Sequence, residues 1–290
     1  MSVPARTAAT VLLVRDAVGD DAETAIEVCM LRRNLDASFA PGAHVFPGGS
    51  VDEADGDDAF ESLCRGRTDA EASATLGLAN GGLSFWVAAI RECFEEAGVI
   101  LAYSPTTEEG GGSSAPIRSP DMLDTSDPAV RERYADHRDG LNAGTARFLD
   151  VCRDEGLELA TEALHYLGRW ITPGFMPKRF DTRFFVCAAP LRQVAVHDDG
   201  EMIASVWLRP ADALDRHQRG ELDLLPPTIA NLGTVGKFTT TAELLEAAAS
   251  MTQMPAVEGV AATESGEFKV LYPGDAGYED ALAHAVANAG

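Results

Sequence analysis

Lysine is scarce in this chain. Lys178, Lys237 and Lys269 are its three examples, and all basic residues together number 23 against 46 acidic ones, a formal net charge of −23. So strong an acid excess argues against a nucleic-acid backbone or an anionic membrane as partner. A phosphorylated ligand would have to be met by metal ions and local arginine, because the overall field opposes its approach. Cysteine is sparse too: Cys29, Cys64, Cys93, Cys152 and Cys187 are scattered, odd in number and free of any Cys-x-x-Cys pair. This excludes a disulfide framework or a cysteine zinc site and predicts reduced thiols, mostly small core residues. No apolar run approaches a membrane span, and there is no internal repeat. The opening Met1-Ser2-Val3-Pro4-Ala5-Arg6 lacks the apolar core of a secretory signal, and Ala287-Asn288-Ala289-Gly290 is not a Ser-Lys-Leu type address. The expectation is a cytoplasmic protein.

What is present is enough for a substantial core: 290 residues, 46% of them hydrophobic. Residues 7–15 and 26–31 read as strands of a hairpin around a turn-rich acidic loop at 17–23. A short strand at 43–46 leads to a turn at Pro47-Gly48-Gly49. Residues 50–82 read as an insertion with short helices at 57–65 and 69–76. Its run Asp55-Gly56-Asp57-Asp58 lacks the spacing and closing Glu of an EF-hand and reads as a solvated loop. A glycine-rich loop is expected at 104–120, then helices at 128–139 and 145–155 with Arg131, Arg133 and Arg138 facing solvent. Strands are expected at 163–171, 181–188 and 202–208, and helices beginning near Arg209, Pro226 and Thr241. The tail beyond Met254 holds one strand-like run at 268–272. Strands around a central helix, with further helices appended, suit an α/β/α sandwich with a mixed sheet.

That central helix is expected at 85–97, with Ser84 as N-cap and Gly98 as the left-handed C-terminal residue. Ile90, Phe94 and Ala97 make an apolar stripe. Glu92, Glu95 and Glu96 fall at i, i+3 and i+4 on another face, and Arg91 can pair with Glu95 one turn on. Three carboxylates one turn apart repel one another, so this face is either simply solvated or holds a cation.

The glycine stretch Phe39–Gly49 decides between these, because the two segments together resemble the signature of Nudix hydrolases. Gly49 matches its opening glycine, and Arg91, Glu92, Glu95, Glu96 and Gly98 match its second half without a gap. Asp55 stands where a Glu is usual, and a long insertion separates it from Arg91. The order Leu31-Arg32-Arg33, Phe39–Gly49, the split signature, Trp170-Ile171-Thr172-Pro173 and Arg179–Phe185 is similar to the branch that includes peroxisomal coenzyme A diphosphatases. The similarity runs over roughly 8–250.

The resemblance implies an α/β protein: a Nudix-type sandwich over 1–250, insertions at 50–84 and 104–160, C-terminal helices, and a tail at 251–290 packed on the domain. It implies Mg²⁺ (or Mn²⁺) held by Glu92, Glu95, Glu96 and the Gly49 carbonyl, with Arg91 orienting Glu95. The general base would be Glu95 or Glu201. Arg32, Arg33, Lys178 and Arg179 would meet phosphate, for which guanidinium groups are suited. His44 would contact substrate or serve as a structural imidazole bonded to backbone. The implied reaction is hydrolysis of a diphosphate bond, foremost in coenzyme A or acyl-CoA. ADP-ribose or NADH cleavage is a second reading, a ligand-sensing domain without turnover a third, and a partner-binding scaffold a fourth. The implied partner is a small-molecule nucleotide, with no nucleic acid and no membrane; a homodimer is compatible with the sequence.

Overall fold

The computed structural model describes residues 3–17, 25–37, 39–105, 122–264 and 267–289. In chain order come β1 (Arg6–Asp16), β2 (Ile26–Arg33), β3 (His44–Val45), β4 (Gly48–Ser50), α1 (Asp69–Leu76), α2 (Leu83–Ala97), β5 (Ala102–Tyr103), α3 (Pro128–Asn142), α4 (Phe148–Asp154) and β6 (Glu158–Leu159). Then follow β7 (His165–Ile171), β8 (Phe180–Ala188), β9 (Met202–Leu208), α5 (Pro210–Gln218), α6 (Pro226–Val235), α7 (Thr241–Ala249), β10 (Ala256–Glu258), β11 (Val260–Glu264), β12 (Glu267–Leu271) and α8 (Tyr278–Ala289). No helix among the described residues is long and apolar enough to cross a membrane.

β1 is the axis of the sheet. Its run Val11-Leu12-Leu13-Val14 is apolar on both faces, as a strand covered from both sides requires. Val11 and Leu13 join a core built on α2. Leu12 and Val14 join a second core with residues of α5, α6 and α7. The sheet orders as β10-β7-β8-β1-β2-β3, with β4 also on β1 and β9 on β2. β8 lies parallel to β1 from Arg6↔Phe180 to Val14↔Ala188, whereas β7 and β2 are antiparallel to their neighbours β8 and β1. The result is the expected mixed sheet between two helical layers.

β1 and β2 share the pairs Val14↔Val28, Arg15↔Glu27 and Asp16↔Ile26, then separate. The segment from His44 to Ser50 fills the wedge: β3 pairs with β2, β4 pairs with β1, and the Val11 N–H donates to the Pro47 carbonyl at 2.9 Å. The glycines are therefore built into the middle of the sheet. Pro47-Gly48-Gly49, expected as a turn, passes directly into β4, because the backbone groups freed by the parting strands need partners.

Other expectations are corrected. α2 begins at Leu83, and Gly82, not Ser84, precedes it. Its first N–H groups are met from α1: the Asp69 carboxylate accepts from Gly81 and Leu83 at 2.9 Å, and the Ser73 hydroxyl accepts from Gly82 at 2.9 Å. The neighbouring helix thus does the capping, and Ser84 only donates to the Gly81 carbonyl. Gly98 does end the helix in the left-handed region, at φ 66°. The helix expected at 57–65 is a 3-10 run, Asp58–Leu63. The helix expected at 69–76 is α1, and the insertion joins the core, for Phe60, Ala72 and Leu76 pack in the same cluster as α2. Arg138 is half-buried instead of facing solvent: its Nε donates to the Glu95 carbonyl at 2.8 Å, at the end of α2. Beyond residue 254, β10 adds a parallel edge to β7, and β11 and β12 form a separate hairpin. Most of the acidic loop at 17–23 and of the glycine-rich stretch at 104–120 lies outside the described residues.

Candidate active site

The packing of α2 leaves its carboxylates little water. Ile90, Phe94 and Ala97 are buried as expected, yet so are Arg91 at 8% exposure and Glu96 at 5%. Glu96 Oε2 accepts the Gly48 N–H at 2.8 Å. A Cβ on Gly49 would stand 2.6 Å from the Glu92 carboxyl. Glycine is needed there because the backbone of β4 lies directly on that side chain. Sheet wedge and helix thus meet at Gly48, Gly49, Glu92 and Glu96.

Arg91 organises the other side. Its Nε and one terminal nitrogen bind both Asp55 oxygens at 2.8 and 2.9 Å, and that nitrogen also donates to the Ser50 carbonyl at 2.9 Å. The second terminal nitrogen donates to Glu92 Oε1 and Glu95 Oε2, both at 2.9 Å. Asp55, expected in a solvated loop, is 3% exposed. It is the buried anchor of the guanidinium, and the shorter side chain still reaches Arg91 because the 3-10 turn Glu53–Gly56 packs against α2. The guanidinium in turn fixes two carboxylates of α2.

Burial governs the protonation of the cluster. It pushes Glu92 up to about 7, although Arg91 pulls the other way; the nearby Glu95 charge adds to the rise. Glu95 is raised by burial, in part offset by Arg91. Glu96 is raised well above the usual carboxylate range by burial and then by Glu92, against the Gly48 N–H bond. Arg91 is held in its charged form: burial alone would lower its pKa, and Asp55, Glu92 and Glu95 outweigh it.

A cavity of about 380 Å³ opens over Glu92, Glu96, Gly48 and Gly49. Its floor comes from matched positions of β1 and β8, namely Arg6↔Phe180, Ala8↔Thr182 and Thr10↔Phe184. Arg6, Arg33 and Lys178 bring positive charge to its walls, matching in number the carboxyls of Glu92, Glu96 and Glu201 in a chain that is otherwise strongly acidic. Glu201 also lines it and accepts from Arg33 at 2.6 Å. Arg33 further donates to the Phe39 carbonyl at 3.1 Å.

Of the residues singled out in the sequence, Glu92, Glu96, Gly49, Arg33, Lys178 and Glu201 line this cavity. Glu95 is turned toward Arg91 and lines a smaller cleft behind it. Arg32, His44 and Arg179 are placed elsewhere. Arg32 pairs with His44 across β2 and β3, and its charge acts on that imidazole. His44 is half-buried; burial first, then Arg32, lowers its pKa against the pull of Asp223. Its backbone N–H, not its ring, makes the hydrogen bond, to the Asp223 carbonyl at 2.8 Å. Arg179 donates to the carbonyls of Thr172 and Val3 and to Glu258, tying β8 to the sheet edge. Arg6 was not singled out; its signal was parity with Ala8 and Thr10 along β1.

Among the described residues no three carboxylate, imidazole or thiol groups stand close enough to hold an ion by themselves. The donors nevertheless fit a hard divalent cation. Mg²⁺ takes one or two carboxylates and completes its shell with water and substrate phosphate. Glu92 and Glu96 line the cavity in pairs of oxygens whose ionisation burial opposes, and a cation is what would offset that cost.

Comparison with known proteins agrees with this geometry. The NUDT19 Nudix domain family matches residues 68–235. The chain is 30% identical over 312 residues to the acyl-coenzyme A diphosphatase NUDT19 of Gallus gallus, covering 95% of this chain and 80% of that one. To the Homo sapiens protein of the same name it is 28% identical over 242 residues, covering 74% of this chain and 62% of the other. A crystal structure of a NUDIX hydrolase from Alicyclobacillus acidocaldarius superposes with a TM-score of 0.60 and 27% identity, over 87% of this chain and 99% of that one. The acidic helix laid against a glycine wedge, and the match across more than half of the chain, make this protein a Nudix hydrolase of the NUDT19 family.

Proposed function

We propose that the chain hydrolyses the diphosphate of coenzyme A or its acyl esters, giving phosphopantetheine (or its acyl form) and adenosine 3′,5′-bisphosphate, with Mg²⁺ or Mn²⁺ as cofactor. The relatives named acyl-coenzyme A diphosphatase support the substrate. The observation that carries the chemistry is the pair of carboxyls, buried Glu96 and half-buried Glu92, facing Gly48 and Gly49 inside a cavity with three cationic side chains. A divalent ion bound there would neutralise phosphate oxygens and acidify a water.

In this reading Glu92, Glu96 and the Gly49 carbonyl hold the ion. Arg91 keeps Glu92 and Glu95 oriented, and Asp55 keeps Arg91 in place. Arg6, Arg33 and Lys178 draw the diphosphate into an otherwise repulsive molecule. Glu201 is favoured over Glu95 as proton acceptor, because it lines the cavity while Glu95 faces the cleft behind. Arg33 holds the Glu201 carboxylate at the wall. Intact Arg91, Glu92, Glu95 and Glu96 speak against a sensor without turnover, which has no need of them.

The test is a product-resolved assay of coenzyme A, a long-chain acyl-CoA, ADP-ribose, NADH and diadenosine polyphosphates with Mg²⁺ and Mn²⁺. Equal amounts of phosphopantetheine and adenosine 3′,5′-bisphosphate from coenzyme A are expected. Cleavage of ADP-ribose or NADH alone would move the assignment to the second reading.

A further inference from the structure

A second cleft, of about 1020 Å³, lies between β10, β11 and α8. Its lining is mostly apolar and small: Phe175, Val260, Ala261, Ala281 and Leu282, with Tyr278 at one side. At its mouth Phe175 is 45% exposed, and its ring meets that of Phe268, 63% exposed, at 5.3 Å. Two exposed aromatic rings beside an open apolar cleft are unfavourable in water unless something apolar covers them.

The cleft adjoins the candidate active site through one turn. Thr172 and Lys178 line the cavity that holds Glu92 and Glu96, whereas Gly174 and Phe175, inside the same turn, line the second cleft. Glu258, on the wall of the second cleft, accepts from Arg179, next to Lys178, at 3.0 Å. The two spaces are therefore the two sides of one braced turn.

We propose that the cleft between β10, β11 and α8 binds the acyl chain of an acyl-CoA whose diphosphate lies over Glu92 and Glu96. This rests on the diphosphatase reading above. A thioester of coenzyme A has a charged end and an apolar end joined by a flexible arm. The protein offers a cationic, carboxylate-lined cavity and an apolar cleft on either side of the turn from Thr172 to Lys178. Each methylene moved from water into the cleft adds to binding. The cleft would thus set chain-length preference without touching the phosphates.

The test compares kcat/KM for dodecanoyl-CoA and for free coenzyme A in the wild-type protein and in Phe175→Asp, Leu282→Asp and Phe175→Leu. Wild type is expected to favour the acyl ester. Each Asp variant is expected to lower the ratio at least about tenfold with coenzyme A turnover unchanged, and Phe175→Leu to keep it. Because Leu282→Asp can disturb α8, the exposed Phe175 decides. A ratio unmoved by Phe175→Asp, or equal losses on both substrates, overturns the proposal. Calorimetric binding of dodecanoyl-pantetheine, which has no diphosphate, separates it from the reading it rests on. Binding weakened by Phe175→Asp in a protein that does not hydrolyse coenzyme A would keep the cleft and refute the activity. Hydrolysis of coenzyme A with no such binding would do the reverse.

Discussion

Glu96 is buried with Glu92 as its neighbour, and both carboxyls are raised above their ordinary range. A carboxyl whose folded pKa exceeds its unfolded value holds a proton that the unfolded chain has released. Its stabilising contribution is complete below the unfolded value and disappears as pH rises through the folded one. Without metal, the melting temperature should therefore fall between about pH 5 and pH 8. Mg²⁺ should raise it more at the upper end, since binding a cation requires the ionised carboxylates. Thermal melts in chelator and in Mg²⁺ check this. In Glu96→Gln the fall should shrink, and turnover should drop on the order of a hundredfold or more while the fold persists. A pH-independent effect of Mg²⁺ would contradict the assignment. Asp55→Ala should cost about 3 kcal/mol in urea denaturation, because it leaves a buried guanidinium short of its closest partner. At this scale the Arg91–Glu95 contact was legible, being one helical turn long. Asp55 was not: its partner lies 36 residues on, so an acidic, glycine-containing run looked like a surface loop.

At the level of elements, apolar periodicity and Gly98 marked most of α2, and β-branched runs marked β1 and β2. The start of α2 was hidden because its capping groups, Asp69 and Ser73, sit on another helix. The wedge of β3 and β4 was hidden for a related reason. A strand of two or three residues has no period of its own, and it exists because β1 and β2 part. The far end of α2 carries a similar device. Arg138 from α3 binds the Glu95 carbonyl at 2.8 Å, and Asn142 reaches the same oxygen at 3.3 Å. A cation at a helix C-terminus is favourable, and here it also joins the insertion to the acidic helix. Arg138→Ala should lower kcat with little change in KM, since it loosens the carboxylates and leaves the cavity cations alone. Arg138→Lys should restore part of the loss. A rise in KM alone would show that Arg138 acts on substrate and not on α2.

Across the whole molecule, the charge of −23 and the cationic cavity wall pull in opposite directions. The sequence made the first plain. The second depends on folding, which draws Arg6, Arg33 and Lys178 from three distant segments to one space and sends Arg32, His44 and Arg179 elsewhere. The sandwich itself could be anticipated, because an apolar run on both faces of β1 demands a helical layer on each side. The membership of β10 in the sheet could not, for its three residues carry no distinctive pattern. All of this serves one junction, where a glycine wedge in the sheet meets two carboxyls of a helix, one buried and one half-buried. Anomalous diffraction from crystals grown with Mn²⁺ tests that junction directly. A peak is expected between Glu92, Glu96 and the Gly49 carbonyl, lost in Glu96→Gln; a peak elsewhere, or none at saturating Mn²⁺, would contradict that placement.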